Sequence, residues 1–234
     1  MWKAVLALAF AAPLGAETFY YGAEWRLMRA GEARLEFEAG QATLHIETSG
    51  VVGKLYRVNT DYAVQFREGF CASSSLLKSE EGKDRGETRV TYDHKPGKVE
   101  LVERDLVKDK VTGSREIDAP AACMHDMVTA LAMLRRMKIE PGSSVTLPMT
   151  TGKKSAQARV AALGRETVKT PLGEFKAIRY EAFLYNGVLY RRKARMFLWI
   201  GDDEKRLPLQ MRLQMPFYLG TVTVKLEKVE GGPG

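Results

Sequence analysis

Two alternating stretches near the C-terminal end decide the fold: LPLQMRLQM at residues 207–215 and TVTVKLE at residues 221–227. In the first stretch the odd-numbered residues are apolar, and the even-numbered residues from Gln210 onward are polar. In the second stretch the even-numbered residues are apolar and the odd-numbered ones are polar. Because successive side chains of a strand point to opposite faces, each stretch predicts a strand with one dry face and one wet face. This is typical of antiparallel sheets.

The same period of two recurs along much of the chain, and it is clear in residues 19–27 and 56–66. Turn residues separate the runs. Asn186-Gly187 predicts a hairpin between two alternating segments, because a type I′ turn needs positive φ at both central residues. Counted in this way, the chain has about eleven strands in two groups, at roughly residues 18–107 and 144–229.

One segment between the two groups has helical spacing instead. Met124, Met127, Leu131 and Leu134 recur every three or four residues, and basic residues in the last turn suit the helix dipole. We predict one amphipathic helix over Cys123–Lys138. Its methionines either form an adaptable apolar binding face or belong to an ordinary core.

The apolar faces of so many strands exceed what one helix can cover, so the sheet must curl or fold upon itself. We therefore predict a mainly β fold: one large curled antiparallel sheet, a barrel or half-barrel, with the helix inserted near the middle, in a single domain over residues 17–230. Curled sheets with apolar interiors often hold lipids or small ligands, although small barrels are often filled by their own side chains. The candidate ligand-binding residues are Met124, Met127, Leu131, Leu134 and Trp199.

The first sixteen residues predict export. Lys3 precedes an apolar run that is too short to span a bilayer, and Ala16 offers a cleavage point. A buried N-terminal helix is the alternative. No cysteine follows the expected cleavage site and no later stretch is long and apolar enough to span a membrane, so we expect a periplasmic protein without a lipid anchor or a transmembrane helix. Gly231–Gly234 predict a flexible tail.

The two cysteines predict a disulfide. Cys71 and Cys123 are an even count, and the expected compartment is oxidising. The bond would close a loop of about fifty residues and contribute roughly 4 kcal/mol in the chain-entropy model. Two separate buried thiols are the alternative, since the sequence does not give the distance between the two Cα atoms.

The net charge of +7 makes the protein basic. In the cell envelope a basic surface favours anionic lipid headgroups or acidic polymers over nucleic acid, although positive charge also simply aids solubility. The alternating pattern after Asn186-Gly187 and on neighbouring strands predicts a basic surface formed by Arg179, Arg191, Lys193, Arg195 and Arg212. The alternative is a solvated face whose charges pair with neighbours such as Glu181.

No catalytic, metal or cofactor motif is found in the sequence. His45, His94 and His125 are scattered and lack the spacing of zinc ligands. On a helix Cys123 and His125 would point apart, and a disulfide would remove the thiol. The glycines of residues 50–53 match no phosphate loop. We therefore expect no metal, no cofactor and no enzymatic activity, with a carboxylate pair acting on an envelope polymer as the remaining alternative.

Three motifs in the C-terminal half follow one another in a recognisable order. They are TPLGEFKA at residues 170–177, LWI at 198–200 followed by Asp203 and RLP at 206–208, and the glycine-led GTV at 220–222. Together with the helix region and LYRV at 55–58, they resemble the bacterial domain-of-unknown-function 3108 family over most of the chain. The resemblance implies an exported β-rich protein of Gram-negative-type bacteria with no established reaction, and it gives no catalytic residues to carry over. It also implies a packing role for Trp199.

Three functions remain open from the sequence. The first is a non-enzymatic periplasmic binding or assembly factor that holds a lipid or other apolar ligand in the curled sheet, with basic residues facing an anionic membrane surface. The second is a docking or structural module of an envelope complex, whose partner is another envelope protein. The third is an enzyme. The first predicts an internal cavity, and the second predicts a filled core with a sizeable exposed apolar patch.

Overall fold

A computed structural model describes residues 16–95 and 97–232. The predicted signal peptide therefore lies outside the described residues except for Ala16, and so do the last two residues of the predicted tail. Gly231, the first residue of that tail, ends the last strand.

The structure contains fourteen strands and two helices in its described part. The strands are β1 (Glu17–Trp25), β2 (Met28–Glu38), β3 (Gln41–Thr48), β4 (Val58–Arg67), β5 (Cys71–Glu81), β6 (Asp84–Asp93), β7 (Lys98–Asp105), β8 (Lys110–Asp118), β9 (Ser144–Thr150), β10 (Ser155–Thr170), β11 (Gly173–Ala182), β12 (Arg195–Gly201), β13 (Pro208–Gln214) and β14 (Thr221–Gly231). The helices are α1 (Gly50–Leu55) and α2 (Met127–Arg136), and a 3₁₀ turn spans Glu68–Phe70.

The sequence-based count of about eleven strands was too low. β8 lies outside both predicted groups of strands. It is an edge strand with most of its side chains exposed, so it has no buried face that would give an alternating pattern in the sequence. α1 was also missed. It has six residues, none of them buried, so it lacks the periodic apolar stripe by which helices are found.

All fourteen strands belong to one antiparallel sheet in the order β8-β7-β6-β5-β4-β3-β2-β1-β14-β13-β12-β11-β10-β9. Two meanders, β1–β8 and β9–β14, are joined because the first strand pairs with the last, from Glu17 opposite Gly231 to Trp25 opposite Val222. The predicted mainly β fold with one large curled antiparallel sheet is confirmed.

The sheet curls until its two outer strands approach, but it does not close. Ser155 at the start of β10 donates a hydrogen bond to the carbonyl oxygen of Asp118 on β8 (3.0 Å). Gly152, in the loop between β9 and β10, packs so closely that a Cβ there would lie 2.8 Å from Leu101 and 2.9 Å from Val90. Contacts of Ser155 and of this loop thus bridge the open edge in place of a strand ladder.

The inner face of the sheet and α2 form one hydrophobic core. Its largest fully buried side chains come from both meanders: Phe19, Tyr21, Val64, Leu101, Tyr180, Ile200, Leu209 and Leu226. α2 is buried on most of its circumference, because the curled sheet surrounds it. Burial on this scale is the main source of stability for the fold.

α2 is shorter than the predicted Cys123–Lys138 helix. Its N-cap is Asp126, whose side chain forms a capping box with Thr129. Residues before Asp126 are extended because their backbone groups bond to strands: the amide of Ala72 donates to the carbonyl of Met124 (2.9 Å), and the amide of His125 donates to the carbonyl of Pro148 (2.9 Å).

The Asn186-Gly187 turn has the predicted positive φ at both residues, 58° and 93°. It does not join two paired strands directly, however, and lies inside a loop over residues 183–194. Leu184 and Leu189 are buried and anchor this loop to the core, so its apolar residues reflect core packing rather than a strand.

Candidate functional site

The segment before α2 is fixed to both meanders. Cys71 at the start of β5 and Cys123 form the predicted disulfide, with a Cα–Cα distance of 4.9 Å. On the other side, the amide of Thr150 on β9 donates to the carbonyl of His125 (2.9 Å). The disulfide therefore ties the entry of α2 to the first meander while backbone hydrogen bonds tie it to the second.

A buried polar cluster surrounds the N-cap of α2. The Asp126 carboxylate accepts hydrogen bonds from the amide of Thr129 (2.7 Å), from the Thr129 hydroxyl (3.0 Å) and from the Tyr62 hydroxyl. Burial, together with the nearby Asp126 charge, raises the pKa of Tyr62 far above its ordinary value. Tyr62 therefore stays a neutral donor, and the cluster acts as a satisfied structural network.

The expectation that Cys123 and His125 point apart on a helix was wrong, because both residues precede α2. The Cys123 Sγ and His125 Nε2 atoms are 3.7 Å apart, but the sulfur belongs to the disulfide. His125 Nδ1 contacts the carbonyl oxygen of Phe70 (2.9 Å), and burial lowers the pKa of His125.

The other two histidines have hydrogen-bond partners outside this cluster. His94 contacts the carbonyl oxygen of Ala72 (2.7 Å), and His45 pairs with Asp61 across β3 and β4 (2.7 Å) in an open groove on the outer face. Within residues 16–95 and 97–232, no three His, Cys, Asp or Glu side chains come together in an arrangement that could hold a metal ion.

The five predicted ligand-binding residues lie in the hydrophobic core or pack against it. Met124, Leu131 and Leu134 are buried in the core, and Met127 packs against it while partly exposed. Trp199 is also buried, but strand alternation places it on the outer face, opposite to Leu198 and Ile200. An apolar ligand contacting all four helix-region residues would have to displace part of the core.

The predicted basic surface is split. Arg179, Arg195 and Arg212 lie on the outer face of the β11–β13 region, where Arg195 pairs with Glu181 (2.7 Å) and Arg212 lies over the ring of Trp199 (5.2 Å to the centroid). Arg179 pairs with Glu166 (3.4 Å). Two further members of the predicted set, Arg191 and Lys193, are exposed in the loop before β12, since β12 begins at Arg195.

A different cluster of residues stands out at the end of the sheet formed by the β1–β2 turn, α1 and the β13–β14 loop. We call this cluster the apolar end. It is defined by exposed apolar and aromatic side chains: Leu27, Met28, Val51, Leu55, Tyr56, Phe217, Tyr218 and Leu219. Exposed apolar side chains concentrated in this way mark an interaction surface more often than scattered ones do.

The β1–β2 turn is tight and strained. Arg26 and Leu27 form a two-residue loop between the paired residues Trp25 and Met28, and both have positive φ, 51° and 68°. This is the backbone of a type I′ turn, which normally selects Asn-Gly. Leu27 is nevertheless 96% exposed, so burial does not offset the strain.

The β13–β14 loop packs its backbone against that turn while its side chains project outward. The Trp25 indole donates to the carbonyl of Leu219 (2.7 Å), and the Arg26 guanidinium donates to the carbonyl of Tyr218 (2.6 Å) while lying over the Trp25 ring. Phe217 at the tip of the loop is 99% exposed.

α1 completes the apolar end from the other side of β2. The amide of Ser49 donates to the carbonyl of Ala30 on β2 (3.0 Å). The Thr48 hydroxyl bridges both ends of the connection, accepting from the amide of Val58 (2.9 Å) and donating to the carbonyl of Tyr56 (3.1 Å). A six-residue helix is too short to be stable alone, so these bonds hold it in place while Leu55 remains 83% exposed.

Sequence reasoning missed the apolar end because its three segments are far apart in the chain and short. One sign was present: the run PFYL at residues 216–219 continues the apolar character of β13 into a turn, where polar residues are expected. In the part of the chain that the structure describes, no helix has the length and apolarity needed to cross a membrane.

Two solved structures match this chain at low sequence identity. The β-barrel-like protein of domain of unknown function DUF1849 from Brucella abortus matches with a TM-score of 0.59 and 8% identity, over 95% of this chain and 100% of that chain. A DUF1089 family protein from Pseudomonas aeruginosa matches with a TM-score of 0.41 and 12% identity, over 78% of this chain and 89% of that one. The first likeness shows a shared β-barrel-like fold. No curated protein matches the chain in sequence.

The sequence matches one family model over residues 18–227. That range begins in β1 and ends in β14, and it covers the disulfide and both helices as well as the apolar end. The description of the family is "Protein of unknown function (DUF3108)". Because the match covers nearly the whole chain, the protein belongs to the DUF3108 family, as the motifs of its C-terminal half indicate.

Proposed function

We propose that this protein is a non-enzymatic periplasmic module that docks on another component of the cell envelope through its apolar end. The observation that carries this proposal is the exposure of Leu27, Leu55 and Phe217 on three separate segments that the fold brings to one end of the sheet. An exposed apolar surface lowers the solubility of a protein, and side chains that stay in water do not stabilise its fold. A binding role therefore accounts for this surface.

The interior is the weaker candidate for the binding site. Met124, Leu131 and Leu134 belong to one core with the inner face of the sheet, and Arg135 of α2 lies over the ring of Phe19 (4.8 Å) and pairs with Glu17 (2.9 Å). A lipid entering the curled sheet would have to break these contacts. A filled core with an exposed apolar patch is what the docking hypothesis predicts.

A periplasmic location fits the covalent structure. Disulfides form and persist in oxidising compartments and are rare in the bacterial cytosol. The Cys71–Cys123 bond is therefore consistent with the export that the first sixteen residues predict.

The proposal of a non-enzymatic role rests on the buried ionisable groups. Asp126 has hydrogen-bond partners on Thr129 and Tyr62, and His125 contacts the carbonyl oxygen of Phe70. Groups held in this way serve folding, since a catalytic acid or base must reach a substrate atom at hydrogen-bond distance.

The test is retention of the protein on sedimented envelopes. Cells producing the wild type, the double variant Leu27→Ser/Phe217→Ser and the control Leu172→Ser are lysed, and the protein in the envelope pellet is compared with that in the supernatant. We expect the double variant to move to the supernatant while the control, which alters an exposed leucine in the β10–β11 turn, behaves as wild type. Equal distribution of all three proteins would contradict docking through the apolar end.

A further inference from the structure

The apolar end combines its apolar tips with positive charge. The segments that form it, residues 25–30, 49–58 and 215–221, contain four cationic residues and no acidic one. Arg29 pairs with Glu32 (3.1 Å) and Glu227, but across residues 16–95 and 97–232 no ion pair is formed by Arg26, Lys54 or Arg57. The charge left on these three segments is therefore positive, while the neighbouring Glu81 of β5 accepts a hydrogen bond from Tyr56 (3.2 Å).

The shape of the apolar end suits a fluid partner. Its most exposed side chains stand at the tips of separate turns, with Phe217 99% and Leu27 96% exposed. A protein partner would need separate pockets for each tip, whereas the acyl region of a bilayer accepts apolar tips in any arrangement. Buried apolar area and attraction to anionic lipids together set the strength of this kind of binding.

Part of the backbone behind the tips has hydrogen-bond partners within the apolar end. In the β13–β14 loop the amides of Leu219 and Gly220 both donate to the carbonyl of Pro216 (2.9 and 3.1 Å), and the amide of Arg26 donates to the carbonyl of Thr221 (3.4 Å). Polar backbone groups without partners are costly near hydrocarbon, so these internal bonds lower the cost of insertion.

Aromatic and cationic side chains lie behind the tips, where headgroups would be. Trp25 is half-buried with its indole bonded to the loop backbone, and Arg26 stacks on its ring. Tryptophan and tyrosine favour the interface between hydrocarbon and water, and long basic side chains extend their charge to the headgroup level.

We propose that the apolar end binds the surface of an anionic lipid bilayer. Phe217, Leu27 and Leu55 insert at the boundary between the headgroups and the acyl chains. Arg26, Lys54 and Arg57 face the lipid phosphates. This inference rests on the proposed docking function and names its partner as the lipid itself.

The experiment is co-sedimentation of the purified protein with protein-free vesicles, one set of phosphatidylcholine and one set containing phosphatidylglycerol. We expect binding to the anionic vesicles that weakens as salt is raised. Phe217→Ser should weaken it roughly ten-fold, the loss expected when one large apolar side chain no longer inserts. Lys54→Glu should weaken it by about five-fold or more.

Two control variants separate insertion at this end from general attraction of a basic protein. Leu172→Ser removes an exposed leucine elsewhere. Lys169→Glu lies on β10 and changes the net charge of the protein by the same amount as Lys54→Glu does. Both should bind as wild type. Equal losses in Lys54→Glu and Lys169→Glu, with no loss in Phe217→Ser, would overturn the proposal.

The vesicle result and the envelope result are distinguishable. Suppose that the wild type does not bind anionic vesicles, but the Leu27→Ser/Phe217→Ser variant is still lost from the envelope pellet. The lipid inference is then wrong, and the docking function stands with a protein partner. If neither assay responds to the tip variants, both proposals are wrong.

Discussion

Leu27 combines a left-handed backbone with almost complete exposure. For most L-residues, asparagine excepted, this conformation costs roughly 1–2 kcal/mol. It persists only where the surrounding structure imposes it, often at functional sites. Here the flanking ladder between Trp25 and Met28 imposes the turn, and no burial of the side chain offsets the cost. A strained, exposed leucine points to selection for contact with another molecule.

Replacing Leu27 with asparagine should therefore stabilise the protein and weaken docking. Asparagine tolerates positive φ, so we expect the free energy of unfolding to rise by about 1 kcal/mol. Urea denaturation measures the gain, and the envelope-retention assay measures the loss of binding. Leu172→Asn is the matched control and should change neither. A destabilised Leu27→Asn protein would show that the leucine side chain supports the fold.

His125 gives the stability a pH dependence. Burial lowers its pKa below the ordinary value of 6.5, so between the folded and the unfolded pKa the unfolded chain binds more protons. The stability contributed by a neutral His125 is therefore fully present above pH 6.5, the pKa of the unfolded chain. It is lost as the pH falls from there through the lower pKa of the folded state. Urea denaturation at pH 7.5 and pH 5 should show a smaller drop for His125→Gln than for the wild type. Identical drops in the two proteins would assign the pH effect to other groups.

At the scale of elements, the β9–β10 loop contacts the opposite edge region of the sheet, a role that strand pairing has in a closed barrel. Gly152 has a positive φ of 74° and lies directly against the side chains of Leu101 and Val90, from strands at the far side of the sheet order. A glycine is required here both by the backbone conformation and by the close approach. The close approach of this loop to β6 and β7 thus depends on one small residue.

Gly152→Ala should destabilise the protein by about 3 kcal/mol, since the new methyl group meets two core side chains and also suffers the positive φ. Gly82→Ala is the matched control. Gly82 has φ of 62° with open space where its Cβ would stand, so its replacement should cost only about 1 kcal/mol. Equal unfolding midpoints for the two variants would show that the loop yields without strain.

At the scale of the molecule, the two meanders are joined by the β1–β14 ladder at one place and by the entry of α2 at another. The Cys71–Cys123 bond fixes that entry across a sequence separation of 52 residues. The buried side chains of α2 belong to a core that draws on both meanders. The disulfide therefore restrains the whole fold rather than one hairpin.

The Cys71→Ser/Cys123→Ser variant should lose about 2–5 kcal/mol of stability, because the unfolded chain regains the entropy of an open loop. Urea denaturation with and without a thiol reductant measures the effect. Reductant should bring the wild type to the level of the variant and leave the variant unchanged. A wild type that is as stable reduced as oxidised would show that the core alone fixes α2.

The local pattern of residues was enough to predict the fold class and part of the helix. Alternation in residues 207–227 gave strands β13 and β14, and the spacing of Met127, Leu131 and Leu134 gave α2. The start of α2 was missed because hydrogen bonds to Ala72 and Pro148 keep the preceding segment extended, and such distant partners leave no local pattern. The edge strand β8 was missed because it has no dry face.

The sequence by itself determined the mainly β class, the curled sheet, the cysteine pair and the family, since each depends on local periodicity or on short motifs. Tertiary structure alone decided that the first strand pairs with the last and that α2 fills the interior. It also decided that Leu27, Leu55 and Phe217 meet at one end. These features depend on contacts between residues far apart in the chain, and the free energy of such contacts is set by the packing of the whole sheet.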